Sequence, residues 1–212
     1  VQELQSIGIS SARQDEHGLV WATIPANTPK ETATILLNAH LDTSPETSGA
    51  DVRPQVVRNY AGGDLPLPGA PDKVIRVADS PELDALKGCT LVTTDGTTLL
   101  GGDDKAGIAI IMEVANHLLE NERLLHGPVE ILFTCDEEIG RGVEFVDMEQ
   151  LNAIAAYTLD GPGADKIDVE TFSADLATVT ISGVNIHPSI AKDRMVNAVC
   201  ATADFIARLP QD

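Results

Sequence analysis

Three apolar, branched-residue-rich runs in this chain each stop at a residue type that binds metals, and that arrangement constrains the fold more than any other feature. "TATILLNAH" (32–40) ends at His40, "PVEILFTC" (128–135) runs into Asp136, Glu137 and Glu138, and "AIAAYTL" (153–159) runs into Asp160. Short apolar runs of this kind read as buried strands. Between the first two lies "KAGIAIIMEVANHLLENE" (105–122), a helix apolar on most faces and so expected to be buried. Strands alternating with helices predict an α/β fold, with a mixed, largely parallel sheet flanked by helices. Ligands bind such sheets at the carboxyl ends of the strands. His40, Glu137, Glu138 and Asp160 all fall there, and Asp103 falls in the turn that opens the long helix.

The rest of the chain is less regular. Residues 43–82 are rich in Pro, Gly and Asp and read as a long excursion, which inside a compact domain is usually functional. "TLVTTDGTTLL" (90–100) reads as a hairpin turning at Asp95-Gly96. "GVEFVDMEQL" (142–151) reads as a short helix. The opening "VQELQSIGIS" reads as the middle of a helix running into a strand, and "ARLPQD" falls just after a helix. With no initial Met, the expectation is a piece of a longer protein. After "DGPGADKIDVE" (160–170) the texture changes, and residues 171–212 are expected to open a second domain with a strand, a loop and a helix.

Composition excludes some functions. The net charge of −19 and the lack of a basic patch argue against nucleic acid and anionic membranes as partners. Aromatics are only 3% of the chain, too few for base-stacking platforms. The three dispersed cysteines, Cys89, Cys135 and Cys200, fit neither a disulfide framework nor a zinc knuckle, and point to a reducing, cytoplasmic setting. No apolar run approaches the ~18 residues of a membrane span, and no signal-peptide pattern opens the chain.

The individual motifs are weak alone. An acid run such as Asp136-Glu137-Glu138 is most often a solvated loop. In "AHLDTSP", His40-x-Asp42 is most often a buried histidine with a hydrogen-bonded aspartate. As chemistry, a neutral imidazole is a good zinc ligand whose second nitrogen needs an acceptor, and Asp42 lies on the same side of an extended chain. Two metal ions ~3.5–4 Å apart need a bridging carboxylate, and either Asp103 or Asp104 of "GGDDKAG" suits that role. A phosphate loop is disfavoured there, because two acids would face the anion; a simple helix cap is the other reading. Adjacent carboxylates are tolerable if one ligates a metal and its neighbour collects the proton of water acidified by that metal.

"HLDTSP", "LLGGDDKAG", "TCDEEIG" and "TLDG", in this order and spacing, resemble the di-zinc metallopeptidase family of aminoacylases and glutamate-releasing carboxypeptidases. "RPQVVRNYAGGD", "TLVTTDGTTLLGGDDKAGIA" and "GVNIHPSIAKDRMVNA" resemble its tripeptide aminopeptidases most. The resemblance implies two zinc ions per complete active site and release of the N-terminal residue from short peptides. It implies His40 and Asp160 on one zinc, Asp103 as the bridge with a cis peptide after it, and Glu138 on the second zinc. Glu137 would be the general base, Asp42 would orient His40, and His187 and Asn197 would bind substrate. Residues 1–170 would be the first part of the catalytic domain, and 171–212 the start of a lid through which two copies can pair. Ser189 and Pro162 depart from the family's usual glycines. The family's last histidine ligand, and its substrate-binding Arg and Gly residues, come from a later part of the catalytic domain, so these 212 residues alone are expected to be inactive. Another hydrolase of the same family, and a non-catalytic metal-binding relative, remain as alternatives.

Overall fold

In the computed structural model, residues 1–163, 166–170 and 175–210 are described. The chain divides into two units, Val1–Gly163 and Ala164–Asp212. The first unit opens with α1 (Gln2–Ser6), β1 (Arg13–Gln14), β2 (Val20–Ile24) and β3 (Thr34–His40). An excursion then carries β4 (Gln55–Val57), β5 (Leu65–Pro66), β6 (Val74–Ile75) and β7 (Leu91–Thr93). Helix α2 (Gly102–Glu120), β8 (Val129–Thr134) and β9 (Ala153–Thr158) complete the unit.

Five strands form the main sheet in the order β1-β2-β8-β3-β9. The strands β8, β3 and β9 run parallel, with His40 opposite Thr134 and Asn38 opposite Thr158. Their carboxyl ends therefore leave the sheet on one side. β2 runs antiparallel to β8, so the sheet is mixed around a parallel centre. β8 is buried along its whole length, as a central strand covered on both faces must be. Its Val129, Ile131 and Phe133 join Ile24, Ala39, Ile111 and Ala115 in the larger core under α2. Leu132 points the other way, packing with Leu19, Trp21 and Leu36. That alternation is the period-two geometry of a strand.

Several local expectations are corrected. β2, in "LVWATI", was not anticipated; flanked by Gly18 and Pro25, it shows only a weak alternation. The expected hairpin at 90–100 does not form, because β7 pairs with β4 instead. The Oδ1 atom of Asp95 accepts hydrogen bonds from the Thr97 amide (2.8 Å) and hydroxyl (2.6 Å), and the Asp95 carbonyl accepts from the Gly69 amide (2.7 Å). The turn is thus tied to the excursion, and Leu99 goes on to bond Ser48 at 3.0 Å. The expected helix at 142–151 is only a short 3-10 turn, Met148–Gln150, capped by Asp147. Ile9 packs in the core without forming a strand. The helix α2 keeps an open face with Ile110 and Val114 exposed, and β9, paired on one side only among the described residues, leaves Ile154 79% exposed.

In the second unit, α3 (Ala198–Ala207) follows the expected pattern, after a short 3-10 turn at Pro188–Ile190. In place of the expected strand, the described residues hold one isolated bridge between Val184 and Val196. No helix among the described residues is long and apolar enough to cross a membrane.

Candidate metal centre

β3 delivers His40 to the sheet's carboxyl edge, where the residue is only 2% exposed. Its backbone is fixed from α2: the His40 amide donates to Asp104 Oδ2 at 3.2 Å. Asp104 is itself buried, and its other oxygen accepts from the Gly107 amide at 3.0 Å. Gly107 must be glycine for this to hold, since a Cβ there would lie 2.0 Å from the Leu159 carbonyl oxygen. That close approach sets the start of α2 against the chain just after β9, and so sets Asp103 beside Asp160.

Asp103 and Asp104 are joined by a cis peptide and keep non-helical dihedrals at the head of α2. Their side chains serve different partners. Asp104 bonds the His40 backbone, whereas Asp103 Oδ1 lies 2.8 Å from His40 Nε2. Asp160 Oδ1 is 3.7 Å and Glu137 Oε2 4.0 Å from the same nitrogen. On the far side of the ring, Nδ1 lies 3.1 Å from the Asp42 carbonyl and 3.3 Å from its carboxylate. Nδ1 is placed to donate to Asp42, while Nε2 faces Asp103, to which it donates when protonated and beside which its lone pair would be available to a bound cation.

The electrostatics match a cation site. Burial opposes charge on His40, but Asp103, Asp160 and Asp42 together raise its pKa above the ordinary value. Burial and the neighbouring charges of Asp104 and Asp103 push Asp160 up to about 6. Burial likewise raises Asp104. Asp42 goes the other way: burial opposes, yet the Glu138 and Glu137 amides and His40 hold its carboxyl low. Ligand atoms of His40, Asp103 and Asp160 all lie within 4.8 Å of one another. One imidazole and two carboxylates make a nitrogen–oxygen donor set that suits a divalent metal such as zinc or manganese.

The residues expected from sequence are not all drawn into this group. Glu137 sits at its rim. Glu138 contributes no carboxylate to it; its amide donates to Asp42 Oδ2 at 3.1 Å, next to the Glu137 amide on Oδ1 at 3.3 Å. Among the described residues no second group of three such side chains converges. His187 and Asn197 lie in the second unit. His187 Nδ1 faces the Ser189 hydroxyl at 2.8 Å, so the serine that departs from the family pattern touches this ring. Asn197 caps α3, its side-chain oxygen accepting from the Val199 and Cys200 amides. Sequence reasoning did not single out Lys105 or Gly107; residue chemistry alone left Asp103 and Asp104 equivalent, and only the family resemblance chose Asp103, although all lie in the quoted "GGDDKAG".

The chain belongs to the peptidase family M20/M25/M40, whose family model matches residues 90–208. Its curated relatives include proteins named peptidase T. That of Geobacillus thermodenitrificans is 47% identical over 210 residues, and that of Listeria welshimeri 47% over 212 residues. These alignments cover 99% and 100% of this chain but 51% and 52% of the relatives, so the chain spans about half the length of the curated relatives it matches. Among solved structures, the aminopeptidase PepT from Bacillus cereus superposes with a TM-score of 0.64 at 23% identity, over 99% of this chain and 49% of that one. A tripeptidase from Staphylococcus aureus gives 0.64 at 22% identity, over 98% and 48%. At these identities the superpositions speak for the fold.

Proposed function

We propose that the protein carrying this chain is a zinc-dependent aminopeptidase that releases the N-terminal residue from tripeptides. The observation that carries the reading is the convergence of His40, Asp103 and Asp160 with Glu137 beside them, in a chain of a peptidase family whose similar relatives are named peptidase T. His40 and Asp160 would hold one zinc, Asp103 would be shared between two ions, and Glu138 would serve the second. Bound zinc supplies acidified water and a Lewis acid for the scissile carbonyl. Glu137 takes the proton of the attacking water and hands it to the leaving amine. Asp42 keeps the His40 ring oriented. His187 and Asn197 contribute to substrate binding from a lid unit, residues 171–212 of a chain that pairs as a homodimer in the cytoplasm.

A dipeptidase, deacylase or glutamate-releasing carboxypeptidase would use the same metal residues, and a substrate panel separates them. The full-length protein, stripped by chelator and reloaded with zinc, is expected to cleave tripeptides with a free α-amine and to reject N-blocked ones. Cleavage of blocked peptides at equal rate would overturn the aminopeptidase reading. A protein that takes up no metal would overturn the zinc reading.

A further inference from the structure

The geometry points to Lys105 as a positioning residue of the metal centre: its ammonium grips the main chain of Leu41 and Asp42 and so holds the groups that aim His40 and support Glu137 and Glu138. The inference rests on the reading of His40 as a metal ligand. Lys105 sits in the first turn of α2, two residues past Asp103, and its Nζ lies 2.6 Å from the Leu41 carbonyl and 3.5 Å from the Asp42 carbonyl. The sheet ladder has ended at this point. Leu41 still donates its amide to Thr134 of β8 at 2.7 Å, but its carbonyl leaves the sheet and is received by Lys105.

What this grip holds explains why it matters. The Asp42 carbonyl within reach of Lys105 is the same oxygen that lies 3.1 Å from His40 Nδ1. The carboxylate of Asp42 accepts the Glu137 and Glu138 amides, fixing the turn after β8. Residue 42 thus joins three segments: the end of β3, the head of α2 and the acidic turn. Lys105 is the cross-link from α2. An ammonium suits the task because its three rotatable donors can satisfy two successive carbonyls, which a planar guanidinium fork does less well. The side chain is largely exposed, so it does this with little loss of hydration. Partners that orient a metal ligand from behind change metal affinity when removed, by 10–100-fold. Lys105 acts at one remove, chiefly through its bond to the Leu41 carbonyl that fixes the main chain leading into Asp42, so the lower end, about tenfold, is expected.

The test uses the full-length protein, chelator-stripped, with zinc affinity measured by competition against a chromophoric chelator. Wild type, Lys105→Met and Lys105→Arg are compared, with apo-protein melting and the absorption of the cobalt-substituted forms as second readouts. Methionine keeps the length and helix propensity of lysine at an exposed position, so the variant is expected to fold. Lys105→Met should lose about tenfold in zinc affinity and shift the cobalt spectrum, while Lys105→Arg, which restores donors, should recover part of both. Unchanged zinc affinity in Lys105→Met, with or without lowered melting, overturns the inference and makes the lysine a surface residue or a merely structural one. Equal losses in the Met and Arg variants overturn it too, because the donated hydrogen bonds would then not be the cause. A wild type that binds no zinc removes the metal reading itself and this inference with it, an outcome distinct from the other two.

Discussion

His40 Nε2 and Asp103 Oδ1 lie 2.8 Å apart, although 63 residues separate them in sequence. The contact joins the end of a strand to the head of the helix that crosses back over it. Asp160, from the end of the neighbouring strand, closes the group. Everything proposed for this protein depends on that convergence.

Asp103→Ala should therefore abolish metal binding as well as turnover in the full-length protein, since a bridging carboxylate serves both ions. Elemental analysis of the reloaded variant checks this. Two zinc ions retained per chain would remove the bridging role.

Glu137→Gln should separate binding from chemistry. The amide keeps the size and polarity of the side chain but takes no proton. Zinc content should stay at the wild-type level, while kcat falls by about 10²–10⁴-fold, the usual contribution of a general base. Steady-state kinetics on a tripeptide, run with metal analysis on the same sample, reads both; undiminished kcat would rule out the base assignment.

Gly107→Ala tests the packing beneath the site. The added methyl would sit 2.0 Å from the Leu159 carbonyl oxygen and 2.4 Å from Asp104 Oδ1, neither of which can retreat without moving a strand end or a buried carboxylate. Overpacking of this kind costs about 1–3 kcal/mol, occasionally more. Urea unfolding should show the loss, and metal affinity should fall with it, because the same shift separates Asp103 from Asp160.

Ile131→Ala tests the core away from the site. Ile131 is fully buried in the central strand, and truncation there should cost about 2–5 kcal/mol. A loss below about 1 kcal/mol would mean that β8 is not the central buried strand described.

The sole tryptophan offers a pH test. Trp21 donates its indole N–H to Asp15 Oδ2 at 2.7 Å, and the Leu19 and His17 amides donate to the other oxygen. Burial works against ionisation, but these donors prevail and the Asp15 pKa is lowered. A carboxyl lowered on folding adds stability that is complete above its unfolded value of about 3.9 and is lost as pH falls through the folded one. The stability difference between wild type and Asp15→Asn, followed by Trp21 fluorescence in urea, should be constant at neutral pH and shrink below about pH 4. A difference independent of pH would mean that Asp15 is not held ionised by these donors.

The placement of His40, Glu137 and Asp160 at strand ends was legible in the sequence because the signals for it are local. An apolar run long enough to be a strand, followed at once by His40, Glu137 or Asp160, places each side chain at a strand end whatever lies elsewhere. The helix after "GGDD" likewise announces Asp103 at its head. The hairpin at 90–100 misled for the same reason, since the Asp95-Gly96 turn is a real local signal. Its flanks found other partners, β4 for Leu91–Thr93 and Ser48 for Leu99.

The sequence by itself determined the alternation of strands and helix and the residue types gathered at one sheet edge, because both follow from patterns a few residues long. Only the tertiary structure decided that Asp103 faces His40 while Asp104 is buried behind it, that β2 joins the sheet antiparallel beside β8, that β9 is the edge strand among the described residues, and that Lys105 reaches back to Leu41 and Asp42. These depend on which segments pack against each other across 60 or more residues. Directions of side chains at such crossings are set by close contacts like that of Gly107 with Leu159, which no local pattern encodes.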